Sequence, residues 1–298
     1  MVSQADNHII CEDLFKIYKV ADLEVVALRG LDFQVQKGEM MAVIGASGSG
    51  KTTLLNVLGG LDSPTAGRVT VGKANLLKIT TAELVRYRRE DVGFVWQQTG
   101  RNLVPYLTAA QNVELPLILL GWAQKASRER VNEMLDAVGL SHRKHHRPER
   151  LSGGEQQRVA IAVAMAHNPP LILADEPTGE LDSHNAAEIL DVFRSINRTY
   201  GATIVIVTHD VSVTRKVERV VTIRDGRTSV ESVRGSLPHG ETEHRYDEFT
   251  VLDSAGRLQI PREYMDKLKL KGRVRVMLEH DHITIWPEKA DPEGKNDG

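Results

Sequence analysis

Met40-Met41-Ala42-Val43-Ile44-Gly45-Ala46-Ser47-Gly48-Ser49-Gly50-Lys51-Thr52-Thr53 reads as a buried strand, a glycine loop and a helix start in direct succession. The stretch fits G-x-x-x-x-G-K-[ST], the phosphate-binding P-loop. Each residue type has a physical reason. Glycines let the backbone turn its N–H groups onto phosphate oxygens, and the helix that follows adds the partial positive charge of its N-terminus. Lys51 is placed to neutralise the β- and γ-phosphates, and Thr52 to offer its hydroxyl to Mg²⁺. Gly45, Ser47, Gly48, Ser49, Gly50 and Thr53 complete the expected nucleotide contacts. A Gly/Ser-rich turn would also join a strand to a helix, so the motifs downstream decide.

Leu171-Ile172-Leu173-Ala174-Asp175-Glu176 is an apolar run ending in two acids, the form of a buried parallel strand with functional residues at its C-terminal edge. Asp175 can hold Mg²⁺ and Glu176 can orient the attacking water, the expected companions of a P-loop lysine. Thr203-Ile204-Val205-Ile206-Val207-Thr208-His209-Asp210 repeats the arrangement, and its His209 can donate to a γ-phosphate oxygen. Leu151-Ser152-Gly153-Gly154-Glu155-Gln156-Gln157-Arg158 opens an alanine-rich helix that runs to about Ala166. Ser152 with Glu155 is a capping box, and the paired glycines leave N–H groups open to an anion.

The rest of the chain reads around these motifs. Ile9–Tyr18 and Val25–Val35 are half-buried strands, with Leu31, Phe33 and Val35 alternating against polar neighbours. Tyr18 is either a packed aromatic or a stacking platform for a base. Lys51 to about Leu58 is helical and Gly59-Gly60 ends it. Asp62 to Gly67 is a loop, 81–90 a helix and Val92–Trp96 a short buried strand. Residues 104–166 are mostly helical with breaks at Pro105, Pro116 and Pro148. Asp225-Gly226 turns a hairpin between Val220–Arg224 and Arg227–Val233. His142, His145 and His146 sit among arginines and lysines, which favours a solvated loop over a metal site.

Composition sets outer bounds. The 298 residues are 41% apolar and 26% charged, enough for one large domain and a smaller one. Lys+Arg 38 against Asp+Glu 40 leaves no global basic field for nucleic acid or an anionic membrane. One cysteine, Cys11, excludes an intrachain disulfide framework and suits a reducing compartment, where it is expected buried in the first strand. The first ten residues lack the order of a secretion signal, and no apolar run reaches the length of a membrane span. A cytoplasmic protein, with any membrane part supplied by another chain, is expected.

Taken together, the P-loop, Gln97, Leu151–Gln157, Asp175-Glu176, Leu181-Asp182 and His209 resemble, in order and spacing, the ATP-binding subunit of ABC transporters over about residues 8–233. Leu58-Gly59-Gly60-Leu61-Asp62, Asn102–Thr108, Asn112-Val113-Glu114-Leu115-Pro116 and Glu176-Pro177-Thr178-Gly179 resemble the lipoprotein-release and macrolide-efflux exporters within it. The resemblance implies a P-loop α/β ATPase domain with a helical subdomain, working with ATP and Mg²⁺. It makes Tyr18 the adenine-stacking aromatic and Gln97 the glutamine linking Mg²⁺ to the helical subdomain. Ser152, Gly153 and Gly154 become signature residues that reach the ATP of the other subunit, Asp182 the acid of the D-loop, and His209 the switch histidine. Lys51, Gln97, Glu176 and His209 are then the catalytic set, and Thr52, Gln97 and Asp175 the metal set. Glu180 stands where this group usually has Asn, Trp96 where Phe or Tyr is common, and Ala46 where Pro or Ser is usual. None of these departures removes a catalytic group.

Phe249–Glu263, with its Asp-x-x-Gly-Arg-x-x-Ile-Pro core at Asp253–Pro261, then Leu268–Gly272 and Val274–Leu278, resemble an AbrB-type swapped-hairpin module, a family of obligate dimers that often bind DNA. The expected organisation is an ATPase domain over 1–233, a linker over 234–246, a β-rich swapped-hairpin domain over 247–289 and a disordered tail over 290–298. The expected function is ATP hydrolysis that powers a membrane permease, by a homodimer peripheral at the inner face of the cell membrane. Two alternatives stay open: an ATPase driving a mechanotransmission complex, and an ATP-switched DNA-binding regulator. Against the second, residues 246–290 carry eight basic and eight acidic side chains, although Arg273 and Arg275 are expected on one strand face.

Overall fold

The computed structural model describes residues 7–21, 23–234, 246–253 and 255–288. Most of the expected linker, 235–245, and the expected disordered tail, 290–298, lie outside the described residues.

Two sheets carry the molecule. In the first, β1 (Asn7–Val20) pairs antiparallel with β2 (Leu23–Gln36) and β4 (Ala66–Val71), and β5 (Ala74–Asn75) closes the edge. The alternation read in β2 is real: Leu31, Phe33 and Val35 are buried, and Cys11 of β1 is fully buried opposite Phe33. The second sheet has the order β11 (Tyr246–Thr250), β10 (Arg227–Arg234), β9 (Arg219–Arg224), β3 (Met40–Ile44), β8 (Thr203–Thr208), β7 (Leu171–Asp175), β6 (Val92–Val95). From β9 to β6 every pair is parallel, while β9, β10 and β11 pair antiparallel.

The parallel strands are apolar on both faces because both faces are covered. Met40, Ala42, Ile172, Ala174, Ile204 and Ile206 point into one core, whereas Met41, Val43, Leu171, Leu173, Val205 and Val207 point into the other. The first core packs against α3 (Ala109–Leu119), α4 (Gln124–Ala137), α5 (Gly153–Met165) and α6 (Ser183–Tyr200). The second holds α1 (Lys51–Leu58), the buried face of the first sheet and Tyr87 of α2 (Thr81–Glu90).

One sequence expectation is corrected inside the helical part. Pro116 does not break the helix but sits within α3. A mid-helix proline costs about 3 kcal/mol, and here Asn112, Val113 and Leu117 bury on either side of it and hold the segment in place. The capping boxes at Thr80, Thr108 and Ser152 fix the starts of α2, α3 and α5. Asp225 and Gly226, both at positive φ (51° and 76°), turn the β9–β10 hairpin. His142 and His145 are exposed.

Beyond β10 the main sheet continues. β11 pairs along the outer edge of β10, from Val230 opposite Thr250 to Arg234 opposite Tyr246. The segment after it touches both sheets: Arg257, held by Asp253 at 2.7 Å, stands 3.9 Å from Asp13 of β1, and Gln259 donates to the carbonyl of Arg224 in β9 at 3.4 Å. A short helix, α7 (Arg262–Lys267), leads to a separate two-stranded hairpin of β12 (Val274–Glu279) and β13 (His282–Pro287).

Candidate active site

The C-terminal ends of β3, β7 and β8 open onto one cleft of about 630 Å³. Ser47, Gly48, Gly50, Lys51, Thr52, Thr53, Gln97, Asp175, Glu176 and His209 line it, together with Ala27 of β2. Five separate stretches of sequence therefore meet at one place, four of them at the ends of parallel strands, as the strand-end rule for parallel sheets requires.

The loop from Gly45 to Gly50 is shaped for close approach of backbone to ligand. A Cβ on Gly45 would stand 2.3 Å from the Ile223 carbonyl oxygen, and one on Gly50, at φ 106°, 2.8 Å from that of Ala27. Both positions therefore admit glycine alone. Lys51 is buried and its Nζ donates to the carbonyl oxygens of Gly45 and Ala46, at 2.8 and 2.9 Å, which keeps the ammonium over the loop. The Ser49 hydroxyl is buried with no protein partner among the described residues. A cradle of inward N–H groups, a lysine and an orphaned hydroxyl is what a polyphosphate satisfies.

The donors beside this cradle suit a hard divalent cation. Thr52 donates its hydroxyl toward Asp175 Oδ1 at 3.4 Å, and the Gln97 amide faces the same cleft. Burial, and then the charge of Glu176, push the Asp175 carboxyl above its ordinary value, with Thr52, Lys51 and Arg101 pulling it partly back. A cation at that carboxylate would relieve both unfavourable effects, and an all-oxygen set of hydroxyl, carboxylate and amide fits Mg²⁺.

Glu176 sits just past β7 at φ 48°, an unusual conformation for a side-chain-bearing residue, held by its N–H on the Val207 carbonyl at 2.8 Å. Its carboxylate accepts from the Thr208 hydroxyl at 2.9 Å and the His209 N–H at 3.3 Å, and lies 2.8 Å from His209 Nδ1. Glu176 and His209 are thus one unit, and Thr208, which the sequence reading passed over, anchors it.

The remaining candidates do not all join the cleft. Tyr18 stands at its Thr53 end, where the Thr53 side chain hydrogen-bonds the phenol. Ser152, Gly153 and Gly154 lie outside, at the start of α5. Ser152 accepts from the Glu155 N–H at 3.2 Å, while Gly153 and Gly154 face Leu181 and Asn185. Asp182 caps α6 beside them through Asn185 N–H at 2.9 Å. One chain therefore carries two groups of site residues, the cleft and a glycine-paired helix end, with Gln97 and Gly153 lining one small cavity of about 60 Å³ between them. A further cavity of about 500 Å³, lined by His8, Lys73, Lys78, Arg86, Tyr87 and Asp91 among others, shares no residue with the cleft.

Residues 28–179 match the ABC transporter family. An ABC transporter ATP-binding protein of Thermotoga maritima is 46% identical over 230 residues, 77% of this chain and 97% of that protein. The lipoprotein-releasing system ATP-binding protein LolD of Pseudoalteromonas translucida is 41% identical over 226 residues, 76% of this chain and 97% of its own. Among solved structures, the dimeric ATP-binding cassette MJ0796 in a post-hydrolysis state with ADP and Pi superimposes with a TM-score of 0.69 at 41% identity, covering 76% of this chain and 100% of that one. CbiO1 of Clostridium perfringens, part of the transporter complex cbiONQ, superimposes at 0.70 with 27% identity, covering 76% and 88%. A glycine cradle closed by a lysine, a strand-end acid pair and relatives matched over nearly their whole length lead to one conclusion: this chain belongs to the ABC transporter family and is an ATP-binding, ATP-hydrolysing cassette, the nucleotide-binding subunit of a transporter.

Proposed function

We propose that two copies of this chain bind two ATP molecules head to tail, each cleft completed by Ser152, Gly153 and Gly154 of the other copy, and that hydrolysis drives a permease of the lipoprotein-release and macrolide-efflux type. The observation that carries the reading is the separation, within one chain, of the phosphate cleft from the helix end at Ser152. A helix N-terminus favours an anion, Gly153 is exposed at this one while Gly154 packs against Asn185, and its own cleft does not use it. MJ0796, which is similar over the whole cassette, is dimeric.

In this reading Lys51 and the loop N–H groups bind the β- and γ-phosphates, and Thr52, Asp175 and Gln97 hold Mg²⁺. At those three side chains a bound Mg²⁺ would supply neutralisation of phosphate charge. Glu176 orients the attacking water, and His209, fixed by Glu176, presents its other ring nitrogen toward the γ-phosphate. Asp182, capping α6 beside Ser152, transmits the state of one cleft to the other.

In this reading the permease docks at the apolar groove between α2 and α3. Val104, Leu115, Pro116, Leu119 and Val163 line it, and Ile118 and Trp122 lie exposed on α3 or directly after it. Among the described residues no helix is long and apolar enough to cross a membrane.

The carboxyl-terminal hairpin supports pairing of two copies as in a swapped-hairpin module. Val274, Val276 and Leu278 stand opposite Pro287, Ile285 and Ile283, so one face is wholly apolar. Val276, Leu278 and Ile283 are 60%, 80% and 64% exposed. A lone two-stranded hairpin is at best marginally stable in water, so this face needs a cover, and a second hairpin of the same shape supplies one. The DNA-binding alternative is weakened because Arg273, one of the two basic residues expected on one strand face, is paired with Glu288.

Ser152→Arg in the full chain tests the sandwich. The side chain is exposed, so the fold loses no more than a cap, about 1 kcal/mol. ATP affinity of the cleft should hold while turnover falls by about a hundredfold or more. Unchanged turnover would remove Ser152 from the reacting site and with it the head-to-tail arrangement.

A further inference from the structure

Lys16 and Tyr18 are two residues apart on β1 and so share a face of the strand. Lys16 is buried, and its Nζ donates to Asp62 Oδ1 at 2.6 Å and to the Ser63 carbonyl at 2.9 Å. Tyr18 donates its hydroxyl to the other carboxylate oxygen, Asp62 Oδ2, at 2.7 Å. The same Lys16 ammonium stands 4.7 Å from the centroid of the Tyr18 ring. Asp62 comes from the turn after α1, where its N–H and that of Leu61 bond the Asn56 carbonyl at 3.2 and 2.8 Å. The helix that begins in the phosphate cradle therefore ends in the carboxylate that grips Tyr18.

Lys16 and Asp62 form a part-buried ion pair, which gains little stability net of desolvation but holds both side chains in one geometry. Here the geometry is that of one aromatic ring. Its hydroxyl is tied down and one face is taken by a cation, so a flat partner would have to stack on the opposite face. The phenol is already committed to Asp62 and Thr53.

We propose that Lys16 and Asp62 are positioning residues for the nucleobase: they hold the Tyr18 ring at a set distance from the phosphate cradle and leave one face for a purine, recognised by stacking without a hydrogen bond from the phenol. This rests on Tyr18 being the base platform, and the test separates the two claims.

Affinities for ATP and for inorganic tripolyphosphate, which has no base, are measured on the full chain and on Tyr18→Ala, Tyr18→Phe, Lys16→Met and Asp62→Asn. Loss of one stacked contact in Tyr18→Ala should weaken ATP by about 5- to 150-fold and leave tripolyphosphate unchanged. Lys16→Met and Asp62→Asn should weaken ATP by about three- to tenfold, again sparing tripolyphosphate, and Tyr18→Phe should follow them. Full ATP affinity in Lys16→Met and Asp62→Asn beside a weakened Tyr18→Ala overturns the positioning role and leaves the platform standing. Full affinity in Tyr18→Ala overturns the platform itself. Equal loss of both ligands in the Lys16 and Asp62 variants makes the pair a merely structural tie and also overturns the proposal. Should Lys16→Met fail to fold, Asp62→Asn and Tyr18→Phe decide alone.

Discussion

Glu176→Gln separates binding from chemistry in this cleft. The carboxylate has three protein partners: the Thr208 hydroxyl at 2.9 Å and the His209 N–H at 3.3 Å on one oxygen, and His209 Nδ1 at 2.8 Å on the other. A glutamine can keep all three. Its oxygen accepts from Thr208 and the His209 N–H, and its NH₂ donates to Nδ1 when the imidazole carries its proton on Nε2. The fold and the position of the side chain should therefore survive, and Lys51, Thr52 and Asp175 are untouched, so ATP affinity should stay near that of the parent. What disappears is a negative charge able to orient water and draw its proton. General-base help of that kind is worth about 10²- to 10⁴-fold in rate, or roughly 2.7 to 5.4 kcal/mol of barrier. Steady-state hydrolysis and equilibrium binding of a fluorescent ATP analogue, on the same preparation, read the two quantities separately. Turnover within about threefold of the parent, less than 1 kcal/mol of barrier, would refute Glu176 as the water-orienting group. A collapse of affinity alongside turnover would instead show that the amide is not accommodated as described.

Other outcomes follow from the same structure. The full chain should sediment as a dimer without ATP, and Val276→Arg with Leu278→Arg, which charges the apolar face of the β12–β13 hairpin, should return it to a monomer until nucleotide is added; a nucleotide-free monomer of the parent chain would sink the hairpin pairing. Arg219 is largely buried and bonds Glu39 at 2.6 Å, Glu231 at 2.9 Å and the Gln34 carbonyl at 2.6 Å, so Arg219→Met should cost about 3–5 kcal/mol in urea unfolding by leaving Glu39 unpaired, and adding Glu39→Met should recover much of it; a cost under about 1 kcal/mol would count against a buried network. Asp62 and Glu155 lie below their ordinary values because, although burial works the other way, hydrogen bonds from Lys16 and Tyr18 in one case and from Ser152 and Arg143 in the other outweigh it. Their stabilising share is complete above the unfolded values of 3.8 and 4.5 and is lost as the pH falls toward the lowered folded ones, so the stability gap between the parent and Asp62→Asn or Glu155→Gln should narrow in acid; a gap independent of pH would contradict this.

What could be read from the residues, and what could not, follows the range of the interactions involved. α1, α2 and α5 begin and end where the sequence says because their limits are local, set by Gly50 and Gly59, by Thr80 with Glu83, and by Ser152 with Glu155. Pro116 misled because its local cost is outweighed by packing of Val113 and Leu117 against helices far away in sequence. The cleft residues were legible because phosphate chemistry restricts which side chains can stand at a strand end. Thr208 was hidden, since a threonine at the end of a β-branched strand looks like any other, and so was Asp62, which meets Tyr18 across 44 positions. The spacing of Lys16 and Tyr18 did hold a signal, a cation and an aromatic ring on one strand face, but a signal without its carboxylate partner points nowhere.

The carboxyl-terminal segment shows a different limit. A motif reports the shape of a segment and not what it is joined to, and here β11 serves as the outer strand of the cassette's own sheet while the β12–β13 hairpin stands apart with an apolar face uncovered. Because β11 is paired through five residues of β10, any force that two associated hairpins exert on each other is delivered to β10 and from there to the β9–β10 turn, whose Gly226 N–H bonds the Ser49 carbonyl of the phosphate loop at 3.0 Å. In the proposed homodimer, then, pairing of the hairpins would do more than raise the local concentration of a second cassette. It would pull on an edge strand that is two hydrogen-bonded steps from the phosphate loop, which is why the Val276→Arg and Leu278→Arg chain should be compared with its parent for ATP affinity as well as for mass.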